Sequence, residues 1–329
     1  YTGNRGLPEL RKNICRYLDS RFGVSADPDH TIVTVGASEA IDLTLRAICD
    51  EGDEILVPEP CYVSYAPTVS LAGGTPVAVK CVADNDFALT PQLLESAITP
   101  KTKALILAYP NNPTGAIMTE KQLRDIVPVI LKHDLLVISD EIYAELTYTG
   151  KHVSIASFDD MRGRTVLING FSKAFAMTGW RVGFVCAPDE IDDAMFKIHQ
   201  YGIMCAPRVS QHAANAALAE GLRDGFAIVE EMVEEYARRG RFLANAFNSM
   251  GLKCFQPKGA FYVFPSVASL GMTGEQFANG LLQSQKVAVV PGSAFGTAGE
   301  YHVRCSYATS MAQLSEAIDR IAVFINNTK

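Results

Sequence analysis

Residues 169–183 read N-G-F-S-K-A-F-A-M-T-G-W-R-V-G, and the fold of this chain is decided there. The stretch follows a strand-like run at 164–168. It sets Lys173 among small residues at the strand's exit and Arg181 eight positions later in a glycine-flanked segment. An isolated ammonium is costly to bury, so a lysine at the mouth of an apolar strand calls for a reason. One reason is chemistry. A desolvated lysine near a second cation has a lowered pKa and attacks aldehydes as a free amine, forming a Schiff base. The other is a surface lysine after a turn, and the motif alone does not choose between them.

Outward from that stretch, β-branched or apolar runs recur at 31–35, 54–57, 75–79, 104–108, 135–139, 165–168 and 181–185. Helical patterns fall between them. Residues 8–21 carry Pro8 in the first turn and apolar Leu10, Ile14, Tyr17 and Leu18 at helical spacing. Ser38 is expected to open a helix whose face is Ile41, Leu45 and Ile48. Thr90-Pro91 starts another, and Thr119 with Gln122 forms a capping box. Residues 226–250 read as one long helix ended by Gly251. Runs at 259–263, 287–290 and 302–306, a helix from Thr273, and a final helix capped by Ser310 complete the chain.

This rhythm predicts an α/β fold. A mostly parallel seven-stranded sheet is covered by helices on both faces, and a smaller α+β unit follows. The expected division is residues 1–235 for the large domain and 236–329 for the small one, joined by the long helix. In such sheets ligands sit beyond the carboxyl ends of the strands. Gly36, Tyr62, Asn112, Asp140 and Lys173 all lie just past predicted strand ends.

Composition narrows the classes. The 329 residues are 48% hydrophobic with a net charge of −7, so no basic stripe suits nucleic acid or an anionic membrane. No apolar run is long enough to span a bilayer. The eight cysteines are widely spaced, with no C-x-x-C pair and no Cys/His cluster at metal spacing. They read as reduced thiols of a cytoplasmic protein without a metal site. No signal peptide is visible, and the first residue is Tyr1 rather than Met, so translation is expected to begin upstream. Residues 170–174 lack the second glycine of a nucleophile elbow. No G-x-G-x-x-G follows a strand, which argues against a nicotinamide dinucleotide.

Taken together, Y-x-x-x-x-G at the start, V-G-A-S-E-A, P-x-Y-V-S-Y, N-N-P-T-G, S-D-E-I-Y, the Lys173 stretch, G-A-F-Y-V, V-V-P-G-S-A-F-G and V-R-C-S-Y occur in an order that resembles the class I/II aminotransferases. These are fold type I pyridoxal-phosphate enzymes of the aspartate aminotransferase superfamily. The likeness is strongest to the bacterial and archaeal branch with thermophilic aspartate and aromatic aminotransferases. It runs from Tyr1 to the C-terminal helix.

The resemblance implies a ping-pong transfer of an amino group from an L-amino acid to a 2-oxo acid, with pyridoxal 5′-phosphate as cofactor. Lys173 would be the Schiff-base lysine and proton shuttle. Asp140 would pair with the pyridine nitrogen, and Asn112 and Tyr143 would bond the phenolic oxygen. Tyr62 would stack on the ring, while the backbone at Ala37 and Ser38, with Arg181, would bind the phosphate. Arg304 would clamp the substrate α-carboxylate. Tyr1 would reach the phosphate of a partner subunit, implying a homodimer with shared sites.

Three departures accompany the likeness. Relatives carry an N-terminal arm before the Tyr1 position, which is expected to be missing here. Gly170 stands where many relatives have a phosphate-binding serine. Ser38 stands where some aspartate-specific members have a lysine, which leaves aromatic or other neutral amino acids open. Two alternatives use the same residues: a pyridoxal-phosphate β-lyase, and a non-catalytic aminotransferase-like regulatory domain.

Overall fold

The computed structural model describes residues 3–328, so Tyr1 lies outside the described residues. In chain order the elements are α1 (Pro8–Phe22), β1 (Thr31–Thr34), α2 (Gly36–Ile48), β2 (Glu54–Glu59), α3 (Tyr65–Leu71), β3 (Thr75–Lys80), α4 (Pro91–Ala97), β4 (Thr102–Leu107), α5 (Glu120–Lys132) and β5 (Leu136–Asp140). There follow β6 (Thr165–Gly170), β7 (Gly183–Cys186), α6 (Asp189–Gly202), α7 (Arg208–Asp224), α8 (Ala227–Ser249), β8 (Tyr262–Val263), α9 (Gly274–Gln285), β9 (Val290–Pro291), β10 (Val303–Ser306) and α10 (Met311–Thr328).

The main sheet has seven strands in the order β1-β7-β6-β5-β4-β2-β3. Its pairs are parallel except the two made by β7, which runs against β1 and β6. No α-helix separates β6 from β7, so the chain returns antiparallel without a crossover. Alternation along the strands fills both faces. Ile55, Ala104, Ile106 and Ile138 pack with Ile41 and Leu45 of α2. Leu56, Leu105, Leu107 and Val137 pack with Leu94 of α4 and with Leu123, Ile126 and Ile130 of α5. Because the side-chain period of a strand is two, each run meets two different helix layers.

A second sheet, β8-β10-β9, is antiparallel and three-stranded. Phe247 of α8, Phe277 of α9, and Ile321 and Ile325 of α10 pack in a cluster beside it. Its first two strands are shorter than the apolar runs suggest. Gly259 N–H bonds the Gly115 carbonyl and Ala260 N–H the Leu146 carbonyl, so that part of the run is tied to loops of the main sheet. Val287 to Val289 precede β9 rather than extend it.

The capping box expected at Thr119 forms, and Thr273, expected only to start a helix, makes a second one with Gln276. Helix α2 begins at Gly36, two residues ahead of the expected Ser38. Gly36 takes φ 76°, a left-handed value that lets the chain turn straight off β1 into the helix. No side chain caps the helix start, and the Glu39 carboxylate instead reaches back to accept from Val35 N–H just before it. Residues 189–202, not assigned from the hydropathy pattern, form α6, whose buried side is Asp192, Met195 and His199.

Candidate active site

Three glycines bring the site's parts together. A Cβ on Gly170 would lie 2.9 Å from Gly183 Cα, so β6 and β7 approach more closely than side chains allow. This close approach accounts for a glycine where the resemblance expects serine. A Cβ on Gly183 would lie 2.7 Å from Ala37 N, which seats β7 directly under the first turn of α2. A Cβ on Gly36 would lie 2.6 Å from Arg181 Nη2. The guanidinium therefore rests against the helix start, where unpaired N–H groups and the helix dipole favour an anion. Arg181 holds this place with φ 50°, a strained left-handed value.

Beside that turn opens a cavity of about 340 Å³. Ala37, Ser38, Tyr62, Asn112, Asp140, Tyr143, Lys173, Arg181 and Arg304 all line it. These are all of the sequence-derived site residues within the described region. They come from the first turn of α2, the end of β5, the segments that follow β2, β4, β5 and β6, and β10 of the second sheet.

Lys173 is half-buried, with Nζ 5.6 Å from the ring centre of Tyr143 and 5.4 Å from that of Phe261. Among the described residues its amine has no hydrogen-bond or ion-pair partner. Burial lowers its pKa; Arg181 and Arg304 add to the effect and Asp140 opposes it. Asp140, 5% exposed, ends β5. Its Oδ2 accepts from Tyr65 O–H at 2.8 Å and its Oδ1 from Ile142 N–H at 3.1 Å. Burial raises its pKa, and those two donors pull the other way.

Arg304 Nη1 donates to Asn112 Oδ1 at 2.9 Å. The guanidinium lies between the rings of Tyr262 and Phe295, 4.5 and 4.7 Å from their centres. Its buried Nε has no partner among the described residues. A planar fork flanked by aromatic faces, with a donor still free, is suited to a carboxylate.

A model of the family "Aminotransferase class I and II" matches residues 1–321. An aspartate aminotransferase of Pyrococcus abyssi is 47% identical over 333 residues, covering 100% of this chain and 85% of the relative. An aromatic-amino-acid aminotransferase of Thermococcus litoralis is 44% identical over 333 residues, covering 100% of this chain and 85% of the relative. The solved aromatic aminotransferase of Pyrococcus horikoshii superposes with a TM-score of 0.97 at 45% identity, over 99% of this chain and 87% of that one. The chain belongs to the class I and II aminotransferases. It is a transaminase, and its sheet is that of fold type I.

In this aminotransferase two tyrosines occupy places that sequence reasoning left without a role. Tyr65 holds Asp140, and Tyr262 O–H lies 3.0 Å from Tyr143 O–H. Tyr65 also packs edge-on to Tyr62, with centroids 5.6 Å apart. The signal for Tyr65 was the second tyrosine of P-x-Y-V-S-Y, and for Tyr262 the tyrosine of G-A-F-Y-V. Nothing local says what either hydroxyl meets. Burial, and then the neighbouring Tyr262, raise the pKa of Tyr143 well above 10, so its phenol stays a proton donor. Among the described residues no helix is long and apolar enough to cross a membrane, and no acidic, His or Cys cluster has metal-binding geometry.

Proposed function

We propose that this aminotransferase uses pyridoxal 5′-phosphate to move an amino group from an L-amino acid to a 2-oxo acid, with Lys173 as its Schiff-base lysine. The observation that carries the reading is the unpaired Lys173 amine, set in one cavity with a buried carboxylate, Asp140, and an arginine-backed helix start. Class I and II aminotransferases are pyridoxal-phosphate enzymes, and the donor set here suits that group. The N–H groups at Ala37 and Ser38, with Arg181, suit a phosphate. Asp140 suits a protonated ring nitrogen, Asn112 and Tyr143 suit a phenolic oxygen, and Tyr62 offers an aromatic face.

When bound, pyridoxal phosphate supplies an aldehyde for amines and a ring that delocalises the electron pair left at the substrate Cα. Lys173 Nζ holds the cofactor between turnovers and, once released, takes and returns the Cα proton. Asp140 keeps its carboxylate charge against the ring nitrogen and so holds a proton there. Arg304 orients the substrate by its α-carboxylate. Tyr143 donates its phenolic proton, and Tyr262 fixes the direction of that bond.

The test is direct. Purified protein with pyridoxal phosphate, glutamate and a range of 2-oxo acids is assayed for 2-oxoglutarate and for the new amino acid. Stoichiometric exchange supports the reading. Release of ammonia and pyruvate from cystathionine or cysteine, with no exchange, favours the β-lyase, and cofactor binding with neither reaction favours the regulatory domain. Arg304→Lys is expected to raise KM for both substrates and lower kcat/KM by about 10²-fold, because an ammonium cannot reproduce the bidentate fork. An unchanged KM would remove Arg304 from the carboxylate site.

The working form is taken as a homodimer with shared sites, Tyr1 of one subunit reaching the phosphate site of the other. Exposed apolar side chains support this. Trp180, beside Arg181, is 45% exposed, and Tyr201 and Val209, at the α6–α7 junction, are 86% and 75% exposed. Sedimentation is expected to give twice the chain mass of 35.7 kDa; a monomer at working concentration would refute it. The division into residues 1–235 and 236–329 is kept as part of the same reading, as is a cytoplasmic location, which suits eight unpaired thiols.

A further inference from the structure

One buried polar cluster lies outside the cavity and is not used by the chemistry above. His199 on α6 is fully buried, at 0% exposure. Its Nδ1 lies 2.7 Å from Glu39 Oε1, in the first turn of α2, and its Nε2 lies 2.9 Å from the carbonyl oxygen of Asn4. A carbonyl oxygen only accepts, so Nε2 carries a hydrogen. On the other side, either Nδ1 donates to an ionised Glu39 or Glu39 donates to Nδ1. In both cases the His199–Glu39 pair has a net charge of zero. Glu39 Oε2 meanwhile accepts from Val35 N–H, so the same carboxylate fixes the entry into α2.

We infer that His199 is a positioning residue for the cofactor's phosphate, acting through Glu39 on residues 35–38. The inference rests on the reading of Ala37, Ser38 and Arg181 as the phosphate site. Two physical needs meet at this histidine. Glu39 is required to shape the turn, yet a carboxylate charge one helical turn from a bound phosphate opposes it. Hydrogen-bonding that carboxylate to a buried imidazole keeps the shape and cancels the charge. The second ring nitrogen ties the arrangement to the chain's first described segment.

That segment is itself held firmly. Arg5 pairs with the buried Asp192 at 2.6 Å and lies 4.1 Å over the Phe196 ring. Leu7 N–H donates to Gln211 Oε1 at 2.8 Å, and Val33 N–H donates to the Arg5 carbonyl at 3.0 Å. Asp192, Phe196 and His199 share one face of α6 by helical spacing. The helix thus clamps the segment with two residues and passes a third through to the α2 turn.

The test compares two ligands of the cofactor-free protein, pyridoxal phosphate and pyridoxal, which differ only in the phosphate. His199→Asn is expected to weaken pyridoxal phosphate by about 10- to 100-fold, the range for one lost hydrogen bond to a charged group. Pyridoxal should change by less than about twofold, since its contacts are elsewhere. Adding Glu39→Gln to His199→Asn should recover most of the phosphate affinity, because no unpaired charge remains. A merely structural role would weaken both ligands together and show no such recovery. That result, or an unchanged ratio of the two affinities in a folded His199→Asn protein, overturns the inference. Should His199→Asn fail to fold, the same ratio is read on His199→Gln, which keeps one donor. The parent reading is checked separately. If the wild type does not prefer pyridoxal phosphate, or Arg181→Ala leaves that preference intact, the phosphate site itself is misassigned and the inference goes with it.

Discussion

Replacing Lys173 with alanine is expected to remove covalent attachment of the cofactor and to lower kcat/KM by about 10⁴-fold, the upper range for loss of a positioned acid–base. The amine meets the two demands of that role. It has no competing partner among the described residues, and burial, helped by Arg181 and Arg304, shifts it toward the neutral, nucleophilic form. Borohydride reduction of the loaded protein followed by peptide mass analysis reads attachment directly. The peptide bearing Lys173 should carry the added mass in the wild type, and the alanine variant should carry none on any lysine. Turnover within tenfold of the wild type would remove Lys173 from the chemistry.

The same shift has a sign in stability. A lysine whose folded pKa is lowered binds its proton less well in the folded state than in the unfolded one. Its charge therefore destabilises the fold at pH values below the folded pKa. That penalty is lost as pH rises from there toward the ordinary lysine value of 10.5. Thermal unfolding of the cofactor-free protein should show Lys173→Met more stable than wild type at neutral pH. The gap should narrow as the solution is made alkaline.

Asp140→Asn is expected to lower kcat by about 10³-fold while leaving KM within a few-fold, the pattern of a lost electrostatic contribution to the transition state. The isosteric amide keeps the size of the side chain and still accepts from Tyr65 O–H or Ile142 N–H. It loses the charge that holds a proton on the ring nitrogen. Burial alone pushes the Asp140 carboxyl toward its neutral form in the cofactor-free site. A cationic nitrogen against it reverses that tendency, so cofactor and carboxylate stabilise one another's charged forms. Equilibrium binding of pyridoxal phosphate should weaken far less than kcat falls. A variant that loses the cofactor but turns over normally when saturated would show Asp140 to be a binding group only.

The fold class was legible because hydrophobic period is local. Short continuous apolar or β-branched runs alternate with helical stretches, and turn residues mark each boundary. The cap at Thr119 followed from side-chain reach within one turn. In the second sheet, expectation and structure differ because a long-range contact intervened. The 259–263 run is split because Gly259 and Ala260 bond to loops of the main sheet. Helix α2 starts early for a local reason, since Gly36 takes a left-handed φ that turns the chain straight off β1.

The sequence by itself determined which residues lie at or past the strand ends, and so placed Asp140, Asn112 and Lys173 at one edge of the sheet. That follows from the rule that parallel strands present their carboxyl ends together. Only the tertiary structure decided what those side chains meet. Asn112 and Arg304 are 192 positions apart and bonded; Tyr65 and Asp140 are 75 apart, and His199 and Glu39 are 160 apart. It also explained Gly170 by the closeness of Gly183, a strand neighbour. Such pairs have no signature in spacing or composition. They arise when helices and sheets pack and bring buried polar groups from distant parts of the chain within reach of one another.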